Sequence, residues 1–290
     1  MTAGDVSLST VVAMRREGQH VDEEAALALL CSEVAGRDGT TDGHEVRWAA
    51  EAWLRQAVRS SGAWDASEAI PTGGQADDRS VWSASAYGAL TRLASSLRTV
   101  NRFGTRLISR ADVFERREGD PLDLFLAVMA WGYGDRGYGW RRTANVIAAA
   151  ERDGGVSRLA DVVRTLRDCG TGAPHALFRM WSRGGDAKLR GLGTAFASKL
   201  AYFVSYDRDR GTGPLIADNN TGWSIWALAN IARSTSVAEA YADYVEQAED
   251  WARHLGCRSD DVELALFRLG PRVREAYRFW GDLAEAPRDG

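Results

Sequence analysis

The feature that most constrains this chain is the helical spacing of its apolar residues, which recurs along almost the whole sequence. In residues 44–60 the apolar positions follow the i, i+4, i+7, i+8 spacing of a helix with one buried face: Val46, Ala50, Trp53, Leu54, Ala57 and Val58. No run of alternating β-branched residues competes with this spacing. The sequence therefore predicts an all-α fold.

Several helix starts carry a recognisable local signal. Asp120 is a predicted N-cap, Pro121 suits the first helical position and Asp123 falls in the first turn, which predicts a helix over residues 122–131. Similar signals predict a helix over residues 237–255 behind a capping box of Ser236 and Glu239, and another helix between Ser259 and Gly270.

The charge of the chain is unevenly distributed. The first 80 of its 290 residues carry a net charge of −7 and the remainder carries +3, for a total of −4. Residues 70–78 are rich in Pro, Gly, Gln and Asp, as loops are. We therefore expect an acidic N-terminal helical subdomain over residues 1–80 and a mildly basic main domain over residues 81–290. Such a chain has no uniformly basic surface for nucleic acid, although a local basic face is compatible with it.

Other classes of protein and site are disfavoured by what the sequence lacks. No stretch approaches eighteen consecutive apolar residues, and residues 1–16 have no basic region leading into an apolar one, so we expect a soluble cytoplasmic protein. The three cysteines are far apart and form no Cys-x-x-Cys motif, and the four histidines show no zinc-binding spacing. We expect reduced thiols and neither zinc nor an iron–sulfur cluster.

Arginine dominates the basic residues, with 34 arginines against two lysines. Seven of the arginines fall in residues 91–117, which carry a net charge of +5 and form either a solvated face or a surface that contacts phosphate. Both lysines, Lys188 and Lys199, fall within one twelve-residue window. Either they are survivors of a coding bias toward arginine, or an amine is needed there, since lysine can act as a nucleophile and arginine stays protonated.

The window between the lysines has the pattern of a helical hairpin. Gly191 and Gly193 form a predicted tight turn, and apolar residues flank it at spacings that let two helices pack: Leu189, Leu192, Phe196, Leu200 and Phe203. The start of the second helix exposes backbone amides and the positive end of the helix dipole, which suit a phosphate or another anion. A Gly-x-Gly turn alone is weak support, because many helix connections use glycine for its backbone freedom.

Asp218 strengthens the interpretation of this region. It follows an extended Pro-Leu-Ile-Ala run and precedes a predicted helix over residues 223–231, which makes it a predicted N-cap. One interpretation is that Asp218 serves only as a cap, since aspartate is a common cap. However, a carboxylate fixed by backbone amides also stays ionised, as the stabilisation of a developing cation requires.

These residues resemble the helix-hairpin-helix DNA glycosylases, in which a Leu-x-Gly-x-Gly hairpin is followed by a helix, a loop and a catalytic aspartate. The resemblance extends over residues 81–280, and its specific part is residues 189–218. Within that superfamily the chain looks most like the 8-oxoguanine glycosylase branch, especially bacterial proteins of that fold that lie among anti-phage genes. Their Met-Ala-Trp-Gly-Tyr-Gly and Gly-Tyr-Gly pattern is present in residues 129–142. The four-cysteine cluster of the mismatch-adenine and pyrimidine-lesion branches is absent.

The resemblance implies a set of site residues. Asp218 is the expected catalytic carboxylate. The alternative is a non-catalytic helix-hairpin-helix module that only binds DNA. Asp218 discriminates between the two, because binding to an anionic backbone does not need a carboxylate. Residues of the hairpin and of the glycine-rich aromatic loop are expected to contact double-stranded DNA: Lys188, Arg190, Gly191, Gly193, Thr194, Tyr133, Tyr138, Trp140, Arg141 and Arg142. A buried aromatic turn is the alternative for the loop. We further expect four residues to contact the extruded base: Trp131, Asn219, Asn220 and Trp223.

One departure from the family pattern concerns the lysine. Bifunctional members carry it two residues after the second hairpin glycine, where this chain has Ala195. Lys199 is one helical turn further on and is a second candidate catalytic residue, a phosphate contact, or a side chain that points to solvent.

The resemblance also implies an activity: removal of a modified base to leave an abasic site. The substrate is either a bulky modified pyrimidine such as glucosylated hydroxymethylcytosine, which we favour, or 8-oxoguanine. No cofactor is expected apart from a monovalent cation held by hairpin carbonyls, and we expect a monomer.

Overall fold

The computed structural model describes residues 70–71, 82–97, 107–134, 138–154, 157–170, 172, 177, 188–229, 231 and 238–285, and gives no side-chain description for 70–71, 238–239, 272 and 275–285. The described residues are mostly helical, which confirms the predicted all-α fold. The described strands form a single two-stranded antiparallel pair, β1 (Ile70–Pro71) with β2 (Leu107–Ile108), in which Ile70 faces Ile108. No described helix is long and apolar enough to cross a membrane.

The chain divides into two compact units. The hairpin unit comprises Trp64–Ala217 and Ser236–Val245, and the Asp218 unit comprises Met1–Ala63, Asp218–Thr235 and Glu246–Gly290. The predicted boundary near residue 80 involves residues that lie mostly outside the described part of the chain, and it stays a prediction. The same applies to the predicted helix over residues 44–60 and to the capping box of Ser236 and Glu239.

The hairpin unit is built around one helix that is buried nearly all round. Its helices are α1 (Ala84–Ser96), α2 (Arg110–Phe114), α3 (Pro121–Tyr133), α4 (Gly139–Gly154), α5 (Ser157–Cys169) and α6 (Thr194–Ser205). Every residue of α3 from Leu124 to Trp131 is buried, as expected of a helix without a polar face. Helices α1, α2, α4, α5 and α6 all pack against it.

Local capping explains where several of these helices begin. The Asp120 side chain accepts hydrogen bonds from the Leu122 and Asp123 amides at 2.8 and 3.1 Å, and Pro121 occupies the first helical position of α3, so this predicted start is confirmed. Ser109 and Asp112 form a reciprocal capping box at the start of α2. These polar groups satisfy amides that the helix itself leaves without acceptors.

The Asp218 unit contains α7 (Asn219–Ala229), the second half of α8 (Ala238–Leu255) and α9 (Ser259–Glu285). The predicted end of the last helix at Gly270 is wrong, because α9 continues through Gly270 and Pro271 for more than ten further residues. Its glycine serves a close approach instead: a Cβ added to Gly270 would lie 2.1 Å from the Asn220 carbonyl oxygen. α7 and α9 pack along each other.

Candidate active site

The hairpin turn depends on one glycine conformation and one short hydrogen-bonded turn. Gly191 has φ +85°, a left-handed conformation that residues with a Cβ rarely adopt. The Leu192 amide donates to the Leu189 carbonyl at 3.1 Å, which closes the turn, and the Leu189 side chain is buried beneath it. The predicted turn is thus confirmed, whereas the first helix of the hairpin lies outside the described residues.

The second glycine starts α6. Gly193 has extended backbone geometry, with φ −80° and ψ 167°, and provides no side-chain hydrogen bond to the helix amides. Its carbonyl accepts the Phe196 and Ala197 amides at 3.0 and 2.9 Å, so α6 begins directly behind it. Gly191 and Gly193 are both exposed, and Thr194 is half-buried. A helix start with this geometry presents main-chain amides to an external anion.

The basic residues of the hairpin lie at its surface. Lys188 and Arg190 are exposed. The Lys188 carbonyl accepts a hydrogen bond from Arg158 at 3.2 Å, and Arg190 lies 3.3 Å from the Asp153 carboxylate at the end of α4. An exposed ion pair of this kind is worth about 1 kcal/mol or less, so a phosphate can readily replace Asp153 as the partner of Arg190.

The monovalent cation implied by the family resemblance would bind to hairpin carbonyls. The Leu189 and Gly193 carbonyls already accept amide hydrogen bonds within the turn. The cation therefore stays an expectation. No group of three potential His, Cys, Asp or Glu ligands occurs within the described ranges.

The extended run that leads to Asp218 is held by buried side chains on both sides. Ser198 of α6 accepts the Ala217 amide at 3.0 Å. Tyr241 of α8 bonds to both the amide and the carbonyl of Leu215, at 2.9 and 2.8 Å, and Tyr244 donates to the Ile216 carbonyl at 3.0 Å. We call these three side chains the main-chain clamp. Each bond satisfies a buried peptide group that no helix or sheet satisfies.

The main-chain clamp was not identified from the sequence. Ser198, Tyr241 and Tyr244 are spread over 47 residues and two helices, and nothing in the helical spacing of the tyrosines distinguishes them from core residues. The one available signal was the extended run itself, because a buried segment outside regular secondary structure needs hydrogen-bond partners from side chains.

Asp218 caps α7 by a reciprocal arrangement, which confirms the predicted N-cap. Its Oδ1 accepts the Asn220 and Thr221 amides at 2.9 and 3.1 Å. In return the Thr221 hydroxyl accepts the Asp218 amide at 2.8 Å and donates to the Asp218 carbonyl at 2.9 Å. The half-buried carboxylate is therefore fixed in position at the positive end of the helix dipole.

The other residues predicted to contact the base differ in exposure. Asn219 is exposed and Asn220 is half-buried, and both lie in the first turn of α7 beside the carboxylate cap. Trp223 is buried and packs edge-to-face on Trp226 with ring centroids 5.8 Å apart. Of this set, the asparagines have the exposure that contact with a ligand requires.

Lys199 lies in the interior of the hairpin unit, so the interpretation that it points to solvent is wrong. The residue is 7% exposed, and its Nζ lies 5.4 Å from the centre of the Phe196 ring. Gly132 of α3 makes room for this arrangement, because a Cβ there would lie 2.6 Å from Phe196 and 3.0 Å from the Lys199 stem. Ala195, the position of the family lysine, is half-buried in the first turn of α6.

The aromatic loop forms a column of rings that begins above Lys199. Phe196 stacks on Tyr133 with centroids 4.1 Å apart, and Tyr133 meets Tyr138 edge-on at 5.8 Å. The Arg142 guanidinium then lies over Tyr138 at 5.0 Å. Burial raises the pKa of the Tyr133 phenol, and a hydrogen bond with Arg142 opposes that effect. The column of three rings has the Lys199 amine at one end and the Arg142 guanidinium at the other.

The loop residues divide between packing and exposure. Tyr138 is 50% exposed, and Arg141 and Arg142 are exposed beside it. Trp140 is only 5% exposed and packs edge-on against Trp82, which favours the alternative of a buried aromatic turn for this ring. Gly139 makes room for Tyr133, since a Cβ at position 139 would lie 2.5 Å from the Tyr133 side chain.

Trp131, which was predicted to contact the base, is also buried. Its ring meets Phe203 edge-on at 5.3 Å and lies under the Arg110 guanidinium at 5.0 Å. The wall of a base pocket can include a buried ring, so contact of Trp131 with the base stays a prediction.

Arginines of the basic stretch over residues 91–117 bind protein groups where the structure describes them. Arg92 makes a two-pronged contact with Asp123, at 2.7 and 3.2 Å, and Arg117 donates to the Tyr206 carbonyl at 3.0 Å. Arg110 lies over Trp131, and Arg116 donates to Ser96 at 2.6 Å. These four side chains contact other protein groups. Their contacts therefore favour neither of the two interpretations of this stretch, a solvated face or a surface that contacts phosphate.

The model of the family described as "Putative 8-oxoguanine DNA glycosylase OGG-like protein" matches residues 39–267. No curated protein and no solved structure matches the chain. The family match covers most of the chain, including the hairpin turn, Lys199, Asp218 and the main-chain clamp. The chain therefore belongs to the OGG-like family that this description names.

Proposed function

We propose that this protein is a DNA glycosylase that extrudes a modified nucleotide from double-stranded DNA and hydrolyses its N-glycosidic bond. The observation that carries the proposal is the Asp218 carboxylate, which is fixed by the Asn220 and Thr221 amides at the start of α7. A protein that only binds DNA has no use for a fixed negative charge near an anionic backbone. An enzyme that forms a positively charged sugar does.

In the proposed reaction the bond between the sugar C1′ and the base nitrogen breaks, and its electron pair leaves with the base. The Asp218 carboxylate stabilises the resulting positive charge on the sugar and accepts a proton from the incoming water. The water oxygen then bonds to C1′, and the departing base takes up a proton. The products are a free base and an abasic site.

The proposed DNA contacts come from the hairpin and the aromatic loop. The amides at the start of α6 would bind a phosphate, with Lys188 and Arg190 neutralising charge nearby. Tyr138, which is exposed beside Arg141 and Arg142, would occupy the space that the extruded nucleotide leaves. Asn219 and Asn220 would contact the extruded base.

Lys199 has two candidate roles in this reaction. As a nucleophile its neutral amine would bond to C1′ as the base leaves and would lose a proton. Breaking of the C1′–O4′ bond would then open the sugar ring and give a Schiff base, from which β-elimination releases the 3′ phosphate and cleaves the strand. As a phosphate contact it would leave the strand intact. The burial of its stem against Gly132 and Phe196 supports the nucleophile more than the phosphate contact, because a backbone phosphate is bulky and strongly hydrated.

For the substrate we propose a bulky modified pyrimidine such as glucosylated hydroxymethylcytosine in viral DNA, with a role in anti-phage defence. The support is the Trp-Gly-Tyr-Gly form of the loop at Trp131 and the acidic N-terminal 80 residues, which resemble the anti-phage relatives. The description of the matching family favours a second substrate, 8-oxoguanine, as in repair enzymes.

The test is a comparison of released bases from several DNAs. Purified protein is incubated with viral DNA carrying glucosylated hydroxymethylcytosine, with a duplex carrying 8-oxoguanine, and with unmodified DNA. Released bases are identified by mass spectrometry and abasic sites are counted. Release of the glucosylated base alone supports the defence role, release of 8-oxoguanine alone supports repair, and no release from any of them contradicts the enzyme proposal.

The catalytic carboxylate is tested with Asp218→Asn, which keeps the cap geometry and removes the charge. We expect base release to fall by roughly 1,000-fold or more while DNA affinity is retained, because the charge acts mainly in the transition state. Asp120→Asn is the matched control, since Asp120 caps α3 with the same two-amide geometry. Wild-type release by the Asp218 variant would rule out its catalytic role.

The two roles of Lys199 are separated by borohydride, which reduces a Schiff base to a stable adduct. If Lys199 is the nucleophile, the wild-type protein becomes covalently attached to cleaved DNA and Lys199→Gln does not. Cleavage of the glycosidic bond without any trapped adduct would make the enzyme monofunctional.

A further inference from the structure

Gly270 lies inside α9, where a glycine has no evident local reason. It does not end the helix, since α9 runs on to Glu285, and it is not among the described glycines with positive φ. In the interior of a helix, glycine is less favourable than alanine. A packing reason is therefore needed for its presence.

The packing reason is a contact between two main chains. A Cβ on Gly270 would lie 2.1 Å from the Asn220 carbonyl oxygen, 2.5 Å from its carbonyl carbon and 2.6 Å from its Cα. All three atoms belong to the backbone of α7, so no rotation of a side chain could relieve the overlap. The absence of a side chain at position 270 is what allows α9 to approach the first turn of α7 this closely.

The contacted residue is one of the two that hold the carboxylate of Asp218. The Asn220 amide donates to Asp218 Oδ1 at 2.9 Å, and the carbonyl that meets Gly270 belongs to the same residue. Ser224, one turn further along α7, donates to the Leu266 carbonyl of α9 at 2.6 Å. Two separate contacts thus join the first turns of α7 to the same part of α9.

We propose that Gly270 is a positioning residue for Asp218: it lets α9 support the main chain of Asn220 and thereby holds the carboxylate cap in place, with Ser224 as its hydrogen-bonded partner. The expected effect on the rate of base release rests on the proposed function of Asp218. The expected effect on the position of the Asp218 carboxylate does not.

The size of the overlap sets the expected effect. Ordinary contacts of a Cβ begin at 3.4 Å. Gly270→Ala must therefore move the main chain of α9 and the first turn of α7 apart by roughly 1 Å, and a misplacement of that size can lower a catalytic rate about 100-fold. We expect a loss of that order in the rate constant of base release, with little change in DNA affinity.

The first experiment measures the cap itself and needs no substrate. Amide hydrogen exchange of the folded protein is followed by NMR in the wild type and in Gly270→Ala. We expect the Asn220 and Thr221 amides, which Asp218 holds, to exchange about tenfold faster in the variant. The Leu122 and Asp123 amides, which Asp120 holds in the same way in the other unit, are an internal control and should not change.

The second experiment measures the rate constant and the amplitude of base release in a single turnover, on whichever modified DNA the wild type cleaves. Loss of folded protein lowers the amplitude, whereas a displaced carboxylate lowers the rate constant. Gly88→Ala is the matched control, because Gly88 also lies within a helix and an added Cβ would come no closer than 3.8 Å to another residue. We expect that variant to react at the wild-type rate.

Ser224→Ala provides a milder test in case Gly270→Ala does not fold. It removes the hydrogen bond to Leu266 without adding volume, and we expect a three- to tenfold lower rate constant, about 1 kcal/mol, and faster exchange at Asn220 and Thr221. The proposal would be overturned by wild-type amide exchange and a wild-type rate constant in folded Gly270→Ala. If Gly270→Ala does not fold, the same results in Ser224→Ala would overturn it. Retained base release in Asp218→Asn would instead contradict the proposed function, while the exchange measurement would still decide whether Gly270 supports the cap.

Discussion

The starts of α6 and α7 differ in what their first backbone amides can bind. Both leave backbone amides without acceptors in their own helix, as every helix does. At the start of α6 stands Gly193, which has no side chain to offer those amides. At the start of α7 stands Asp218, whose carboxylate takes two of them. One start is open to an anion from outside, and the other already contains one.

The difference shows how a shared backbone feature can support two chemical tasks. An open helix start attracts a phosphate and so favours binding of DNA in one place. A capped start holds a negative charge of the protein's own at a fixed point, where it can stabilise a cation. One residue at the N-cap decides which task a helix start can perform, and substitutions at that position should exchange the two properties.

The largest expected effect on DNA binding comes from giving α6 the cap of α7. Position 193 accepts a side chain without strain, because its φ is −80° and an added Cβ would have no neighbour within 4 Å. Gly193→Asp should therefore leave the fold intact, occupy the open amides and repel phosphate. We expect DNA affinity to fall roughly 30- to 100-fold at low salt, and the salt dependence of binding to weaken by about one phosphate contact.

Fluorescence anisotropy over a range of salt concentrations measures both quantities. Gly193→Asn is the matched control, since asparagine occupies the same amides without a charge and should cost less affinity. Equal affinities of the aspartate variant and the wild type would show that the start of α6 does not contact phosphate.

The two glycines of the hairpin turn should differ in their tolerance of alanine. Gly191 has φ +85°, so Gly191→Ala forces a left-handed conformation and should lower the free energy of unfolding by about 1–2 kcal/mol. Gly193→Ala, in an extended conformation with open space around it, should change that free energy by only a few tenths of a kcal/mol. Urea denaturation measures the difference, and equal losses would mean that the turn does not depend on the geometry of Gly191.

The cap of α7 should contribute to stability as well as to chemistry. Asp218→Ala removes the acceptor of two amides and should lower the free energy of unfolding by about 1 kcal/mol, whereas Asp218→Asn keeps the cap and should cost only a few tenths. Both variants should lose base release. Urea denaturation and base release, measured on the same preparations, would therefore separate the role of the side chain as a cap from the role of its charge.

The start of α9 offers a third case, in which the helix carries its own carboxylates. Cys257 lies just before it, where a helix start would ordinarily favour a thiolate. Burial, followed by the charges of Asp261 and Asp260, instead raises the pKa of the Cys257 thiol to about 11. A raised thiol pKa stabilises the fold below the ordinary value of 9.0, and this contribution is lost as pH rises from there toward 11.

Alkylation measured peptide by peptide over a range of pH tests this smallest effect. Cys257 should react slowly until the pH approaches its raised pKa, and Asp261→Asn should shift its reaction to lower pH. If Asp261→Asn leaves the reactivity unchanged, charge repulsion by Asp261 does not raise the pKa of the Cys257 thiol, and burial is the cause.

The parts of the structure that the sequence predicts well are those with local causes. The starts of α3 and α7 depend on Asp120, Pro121 and Asp218, whose partners lie within three residues along the chain. Gly270 was wrongly interpreted as a helix end because its partner, Asn220, lies 50 residues away. The burial of Trp140 could not be predicted from the sequence, because it depends on a contact with the distant Trp82. Local hydrogen bonds can be inferred from spacing, but packing between distant helices cannot.

The main-chain clamp has a consequence for how this protein can diverge in sequence. Ser198, Tyr241 and Tyr244 bond to peptide groups of residues 215–217 and not to their side chains. Apolar exchanges of similar volume at Leu215 or Ile216 therefore leave these bonds in place. Residues 215–217 can therefore accept natural or designed apolar substitutions, while the backbone path that leads to Asp218 stays the same.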